Sequence, residues 1–359
     1  MKIYQLAARL EFGDAVSNHV LEIDRALSSW GYETGIFANT MDEFGRQVAR
    51  PDSEYAGKKV AEEHLLIFHY SVFCSNYLKY LESGHPRILV YHNITPAEFF
   101  APYDKGVAEF CRLGRELLPG LSGCDLALGD SEYNRLELVE MGFDADRTGV
   151  LPIFVDYEGL RGQKRDPGLA RDCGDTFNVL FVGRAVPNKR LEDVIRAFFY
   201  YNRCIDSRSR LFLVGPSWVD SYDAQLRWLI DSLGLWDEVR LAGRVSQAEL
   251  ATFYDAADLF LCMSEHEGFA VPLVESMAFD VPVLAYSSTA VPYTLDGAGM
   301  TFSVKDFPRV GELAEFVRSD EKVRRGVIEG QRERLRRFSP GVVRETLRGY
   351  VGRVLGEAP

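Results

Sequence analysis

One feature constrains this chain more than any other: short apolar runs alternate with stretches of helical spacing, and the whole pattern occurs twice. In the first set, Lys2–Ala7, Thr34–Phe37, Leu65–Phe68, Arg87–Tyr91, Asp125–Leu128 and Gly149–Ile153 read as strands. Between them apolar residues fall on one helical face, as Val16, Val20, Ile23 and Leu27 do ahead of Gly31. In the second set, Asn178–Val182, Arg210–Val214, Val239–Ala242, Leu259–Cys262 and Val281–Ala285 are nearly continuous apolar runs, suited to strands buried on both faces of a parallel sheet. Leu191–Tyr201, Tyr222–Leu233, Gln247–Ala256 and Val271–Ala278 read as the helices between them. Strand–helix repetition demands right-handed crossovers and produces a doubly wound sheet. The expected fold is α/β, with two facing Rossmann-like parallel-sheet domains.

Length agrees with two domains, since 359 residues exceed what one hydrophobic core usually supports. The strand signal vanishes over Asp156–Thr176, where glycines and Pro167 cluster among charges, and this marks the seam. The expected domains are 1–160 and 161–340, followed by a last segment, 341–359. The net charge of −12 gives a polyphosphate backbone no electrostatic support, so nucleic acid is not an expected partner. Met1–Leu6 reads as a first strand rather than a leader, and no apolar stretch approaches the ~20 residues of a bilayer span. The six scattered cysteines form no C-x-x-C pair, which favours reduced thiols in a cytoplasmic protein.

Ligands of doubly wound sheets sit beyond the carboxyl ends of the strands, so chemistry is sought in the loops that follow strands. The strongest such loop is Glu267-Gly268-Phe269-Ala270-Val271-Pro272-Leu273-Val274-Glu275, running from a strand into a helix. Pro272 suits a first helical turn, and the amides near Phe269–Val271 then lie at the positive end of the helix dipole, a ready anion site. Glu267 in the loop and Glu275 one turn inside the helix could grip sugar and ribose hydroxyls, with phosphates between them. The competing reading is two solvated glutamates. A second loop, Gly183 to Arg190, carries Arg184 and Lys189, which can converge on one anion. Fixed cations there would stabilise a departing diphosphate more than the bound one. By itself it also reads as a solvated basic loop.

Two weaker signals lie in the first half. Gly13 could let amides approach phosphate, or the segment could be a plain turn capped by Asp14 or Ser17. His92, directly after a strand, could bond a sugar hydroxyl or serve as a structural histidine. Asp144-Ala145-Asp146 has the spacing of a divalent-metal motif but falls in a polar turn before a strand, the wrong end of the sheet, and reads as solvated. No metal or other cofactor is expected.

With these motifs quoted, the sequence resembles the retaining glycosyltransferases of family four, which have the GT-B fold. The likeness is closest from Phe177 to about Tyr293, where a G-R-x4-K loop precedes the E-x7-E spacing. The resemblance implies that Arg184 and Lys189 hold the donor diphosphate. It implies that Glu275 binds the ribose, and that Glu267, Gly268 and the backbone of Phe269, Ala270 and Val271 contact the sugar and phosphates. His92 would lie near the anomeric centre. Backbone at Arg244–Val245 would face the base. Gly13 matches only part of a glycine pair. It further implies retention by front-face attack without a protein base, and a last helix, about Gly341–Leu355, that returns to the first domain. From Arg318 to Arg348, ten Lys or Arg stand against five Asp or Glu, an excess that could steer the protein to anionic lipid. The expected substrates are a nucleotide-diphosphate sugar and a saccharide or lipid-linked acceptor, handled in the cytoplasm or at the inner membrane face. The alternatives are an epimerase or phosphorylase on the same scaffold, or a non-catalytic nucleotide-sugar-binding protein.

Overall fold

The computed structural model describes residues 1–55, 63–174 and 176–357, which form two compact units. Unit 1 comprises Met1–Ala101, Lys105–Val155 and Phe338–Pro359, and unit 2 comprises Pro102–Asp104 and Asp156–Arg337.

Unit 1 contains β1 (Lys2–Leu10), β2 (Glu33–Met41), β3 (Arg50–Pro51), β4 (His64–Tyr70), β5 (Arg87–Tyr91), β6 (Leu126–Gly129) and β7 (Thr148–Val150). They pair in parallel in the order β3-β2-β1-β4-β5-β6-β7. The chain winds outward from β1 to β3, returns to β4 and winds the other way, so the order reverses between β1 and β4. Every residue of β4 is buried, as the centre of a sheet covered on both faces requires. One core layer joins Ile3, Leu65, Ile67, Ile88, Val90, Leu126 and Leu128 of the strands to Ile23 and Leu27 of helix Ala15–Ser29. Helix Pro340–Leu355 completes that layer with Val343, Leu347 and Val351. The Tyr350 hydroxyl receives the Val150 N–H at 3.1 Å and lies where a Cβ on Gly149 would stand, 2.4 Å away.

Unit 2 contains β8 (Asn178–Val182), β9 (Arg210–Val214), β10 (Val239–Gly243), β11 (Leu259–Cys262), β12 (Val283–Tyr286) and β13 (Met300–Phe302). The parallel order is β10-β9-β8-β11-β12-β13, with the reversal between β8 and β11. Leu180, Phe181, Leu211, Leu213, Phe260, Leu261 and Leu284 of these strands are buried. Val194, Phe198, Leu226, Ile230, Val274 and Met277 bury their apolar faces from helices Leu191–Cys204, Asp220–Ser232 and Val271–Ala278.

Several boundaries differ from the sequence reading. β7 ends at Val150, although the Leu151 N–H still donates to the Gly129 carbonyl of β6 at 2.9 Å. β12 begins at Val283. The seam, read as strandless loop, holds helices Tyr157–Arg161 and Pro167–Cys173. Each begins after an aspartate cap: Asp156 accepts the Gly159 N–H at 2.9 Å and Asp166 the Leu169 N–H at 2.8 Å. Tyr103, from the first half of the sequence, packs on Tyr222 of unit 2 at 5.3 Å and donates its hydroxyl to Gln225 Oε1 at 2.9 Å.

Candidate functional site

In unit 2 the loops beyond β8 and β9 stay paired after the strands end. Gly183 N–H donates to the Val214 carbonyl at 2.8 Å, Ala185 N–H to the Pro216 carbonyl at 3.0 Å, and Ala185 bridges Ser217 in parallel. Only glycine permits this approach: Gly215 has φ +142°, and a Cβ there would lie 1.9 Å from the Gly183 carbonyl oxygen. The pairing sets Arg184 beside Trp218, with the guanidinium 5.1 Å from the indole centroid. Arg184 is exposed and Trp218 is 41% exposed.

Beyond Ala185 the chain makes a single 3₁₀ turn, Pro187–Lys189, and Arg190 takes the left-handed conformation at φ +53°. This turn is sewn to the loop after β11. The Asn188 carbonyl accepts the Glu265 N–H at 2.9 Å, and Asn188 Nδ2 donates to the His266 carbonyl at 2.9 Å. The Lys189 ammonium then pairs with the Glu267 carboxylate, whose residue is only 7% exposed. Lys189 and Glu267 therefore meet across the β8/β11 reversal, where doubly wound sheets open the crevice that holds ligands.

Glu267 is held from its own side as well. Its N–H donates to Thr289 Oγ1 at 2.8 Å and its carbonyl accepts the Ala290 N–H at 3.3 Å. Thr294 Oγ1 donates to the Phe269 carbonyl at 2.6 Å. Ala270 enters helix Val271–Ala278 at φ +67° with no capping side chain, and Pro272 occupies the first turn. Left-handed alanine costs on the order of 1–3 kcal/mol, and such strain concentrates at binding sites. Glu275, one turn into this helix, accepts the Tyr254 hydroxyl at 2.7 Å; burial pushes its carboxyl up, and the Tyr254 bond opposes the shift. Gly268 and Val271 complete the loop. Arg244 and Val245 lie between β10 and helix Gln247–Ala256, which Ser246 and Glu249 cap reciprocally.

A charged layer that the sequence reading missed supports this loop. Arg190 pairs with Glu265 and Glu192, and Lys305 bridges Asp193 and Glu265 at 2.8 Å to each. Burial would raise the Glu265 carboxyl, but Lys305 and Arg190 together hold it below its usual value. Its position two residues before Glu267 was a visible signal; Lys305, beyond β13, had none.

In unit 1, Gly13 has φ +76° with open space around its Cβ position. The Asp14 carboxylate caps helix Ala15–Ser29, accepting the Ser17 N–H at 2.9 Å. His92 follows β5 and precedes Asn93, which sits at φ +63°. Its side chain is 1% exposed, and both ring nitrogens are engaged, Nδ1 with Asp130 Oδ2 and Nε2 with His69 Nδ1, each at 3.0 Å. Asp144 caps the exposed turn Ala145–Arg147 at the amino end of β7. Much of the basic run is committed internally: Arg318 to Asp206, Arg332 to Asp280, Arg334 to Asp296 and Arg344 to Glu22.

Two doubly wound parallel sheets in one chain, the second carrying a strained, charged loop pair at its point of reversal, define the GT-B class. The solved structure of Anabaena Alr3699/HepE in complex with UDP and glucose superposes with a TM-score of 0.76 at 17% identity, covering 98% of this chain and 100% of that one. Sucrose-phosphate synthase from Thermosynechococcus elongatus gives 0.77 at 16% identity, covering 99% of each chain. Residues 173–334 match the family model described as glycosyl transferases group 1. Among curated relatives, the D-inositol 3-phosphate glycosyltransferase of Kineococcus radiotolerans is 32% identical over 190 residues, 50% of this chain and 44% of that protein. The GDP-mannose:cellobiosyl-diphosphopolyprenol alpha-mannosyltransferase of Xanthomonas campestris is 34% identical over 140 residues, 39% of this chain and 34% of that protein. The chain thus spans less than half the length of these two relatives. Among the described residues, no helix is long and apolar enough to cross a membrane.

Proposed function

We propose that this chain is a retaining glycosyltransferase that moves a hexose-type sugar from a nucleotide-diphosphate donor to an acceptor hydroxyl. The observation that carries the reading is the meeting of Lys189 and Glu267 at the β8/β11 reversal, beside a proline-started helix that carries Glu275. In this reading Lys189 and Arg184 take the diphosphate, and their fixed positive charge grows in value as the glycosidic bond breaks. Glu267 exchanges part of its contact with Lys189 for a sugar hydroxyl. Glu275 holds the ribose, and the Val245 backbone faces the base. His92 is assigned no role through its ring, because both ring nitrogens are engaged.

The donor phosphate accepts the acceptor proton, so no protein base is assigned and configuration is retained. No metal is assigned. The acceptor is a saccharide or a lipid-linked saccharide of a surface polysaccharide or glycoconjugate, as the names of the relatives suggest for those proteins. A cytoplasmic location, with contact at the inner membrane face through exposed Lys322, Arg325 and Arg337, accompanies a lipid-linked acceptor.

Thermal-shift titration with UDP, GDP, dTDP and ADP tests the reading. A ligand of the folded state stabilises by about 2.7 kcal/mol at a hundred times its dissociation constant, so the matching nucleotide raises Tm measurably. If none of the four shifts Tm, with or without added sugar donors, donor binding is refuted.

A further inference from the structure

Behind His92 runs a line of buried polar side chains that the transfer reading does not use. Gln5 of β1, His69 of β4, His92 after β5 and Asp130 after β6 are each 8% exposed or less. Gln5 Nε2 lies 3.2 Å from the Val20 carbonyl, Gln5 Oε1 is 2.9 Å from His69 Nε2, His69 Nδ1 is 3.0 Å from His92 Nε2, and His92 Nδ1 is 3.0 Å from Asp130 Oδ2. The two imidazole planes are only 7° apart, with centroids separated by 5.2 Å, which is the geometry of an in-plane N–H···N bond.

The direction of every bond in this line follows from its far end. A carbonyl only accepts, so Val20 requires the amide nitrogen of Gln5 on its side, where a second bond from Gln5 to Asp24 also falls. Gln5 Oε1 then faces His69 and can only accept, which puts the His69 proton on Nε2. His69 is neutral, because burial and then His92 hold its pKa well below the ordinary value, and its Nδ1 must accept. His92 therefore donates from Nε2. That leaves His92 Nδ1 facing Asp130, and two bare acceptors 3.0 Å apart in a dry site would repel. One more proton is required between them.

We propose that His92 and Asp130 share one buried proton, which completes a one-way hydrogen-bond chain from Asp130 to Val20 and makes Asp130 and His69 positioning residues for the turn after β5. The chain spans the β1/β4 reversal of the first sheet, with Gln5 and His69 contributed from its two sides. It fixes the ring of His92 and, through it, the peptide leading to Asn93. Asn93 is pinned in turn by bonds from its Nδ2 to Asn134 Oδ1 at 3.0 Å and to Glu137 Oε2 at 3.1 Å. With both nitrogens committed, His92 has no lone pair to take a proton from a substrate.

The remaining neighbour preserves this inventory. His19 accepts the Phe154 N–H at Nδ1, 3.0 Å, so its own proton is on Nε2. Its ring stands at 86° to that of His92 with centroids 5.5 Å apart, and burial followed by His92 keeps it neutral. Burial likewise raises the Asp130 carboxyl against the pull of His92, which favours retention of the shared proton.

Long-range ¹H–¹⁵N correlation on the full-length chain, labelled at histidine and without ligand, decides the point. The expected result from pH 6 to 8.5 is a His92 ring protonated at Nε2 with a hydrogen-bonded proton at Nδ1, while His19 and His69 are neutral with Nε2–H. In Asp130→Asn the amide can donate to Nδ1, and His92 becomes a neutral Nε2–H ring in a folded protein. A His92 ring that lacks a hydrogen-bonded proton at Nδ1, or has a bare Nε2, overturns the proposal without any variant. The kinetic arm rests on the transfer activity proposed above: Asp130→Asn lowers kcat on the order of tenfold, the equivalent of one hydrogen bond to a charged group. Wild-type kinetics in that variant, alongside the expected spectra, overturns the positioning role. A wild-type protein without transferase activity refutes the proposed function and leaves the spectral result standing.

Discussion

Lys189 and Glu267, 78 positions apart in sequence, form an ion pair that ties the loop after β8 to the loop after β11. It is a contact between two groups that the proposed function assigns to one ligand. The protein keeps the Lys189 cation neutralised by its own acid, and on the proposed reading a donor has to compete for each. Removing either partner has two separable consequences, one on transfer and one on the fold.

Lys189→Ala lowers kcat/KM by about a hundred- to a thousandfold, the range for loss of one fixed electrostatic donor. It also destabilises the folded state, since Glu267 is left largely buried without its cation. A double-mutant cycle with Glu267→Ala, followed by denaturant unfolding, measures the pair. Single-mutant stability losses that simply add would show that the two groups do not interact in solution.

Glu275 gives a pH-dependent signature. Its carboxyl is raised in the folded state, so folding favours the protonated form; that contribution is intact below the ordinary carboxylate range and is lost as pH climbs through the raised value. Glu275→Gln removes the penalty of charging the group. The difference in Tm between this variant and wild type, near zero at pH 4.5, becomes positive by pH 8 when no donor is present. In the same variant donor affinity falls. A constant Tm difference across the range contradicts the assignment.

Gly215→Ala tests the close approach beyond β8 and β9. A methyl 1.9 Å from the Gly183 carbonyl cannot be absorbed by side-chain movement, and φ +142° is itself unfavourable for alanine. The expected loss is about 3 kcal/mol or more by urea unfolding. Arg184 and Trp218 separate as a result, which a change in tryptophan emission reports.

Leu347→Ala probes the returning helix of unit 1. The side chain is 1% exposed within the layer formed by Leu126, Leu128 and Leu151. Unfolding measured by calorimetry should show a loss of about 2–5 kcal/mol. Leu355→Ala, at the partly buried edge of the same helix, should show distinctly less.

The fold was legible because parallel strands buried on both faces leave nearly unbroken apolar runs, as at Leu259–Cys262. Two of the edge strands, β3 of two residues and β13 of three, bury too little to leave such a run. The glycine- and charge-rich seam concealed two short helices, because their stability comes from aspartate caps and tertiary contacts rather than from periodicity. At the site, Pro272 marked the helix start, and the loop positions of Arg184, Lys189 and Glu267 followed from the strands before them. What sequence spacing could not supply was partnership. Nothing linear joins Lys189 to Glu267, Lys305 to Glu265, or His92 to Asp130, and each of those contacts joins the segments that follow two different strands of one sheet.

Because residues 343–351 finish the apolar layer begun by Ile3 and Ile23, unit 1 cannot close during the early part of its own synthesis. The stretch from Asp156 to Arg337 must first emerge, which at ordinary translation rates takes roughly ten to forty seconds. Throughout that interval the layer has its early helix, with Ile23 and Leu27, but lacks Val343, Leu347 and Val351, while the later-made unit already has all of its own strands. The half of the molecule translated first is thus the last to become whole.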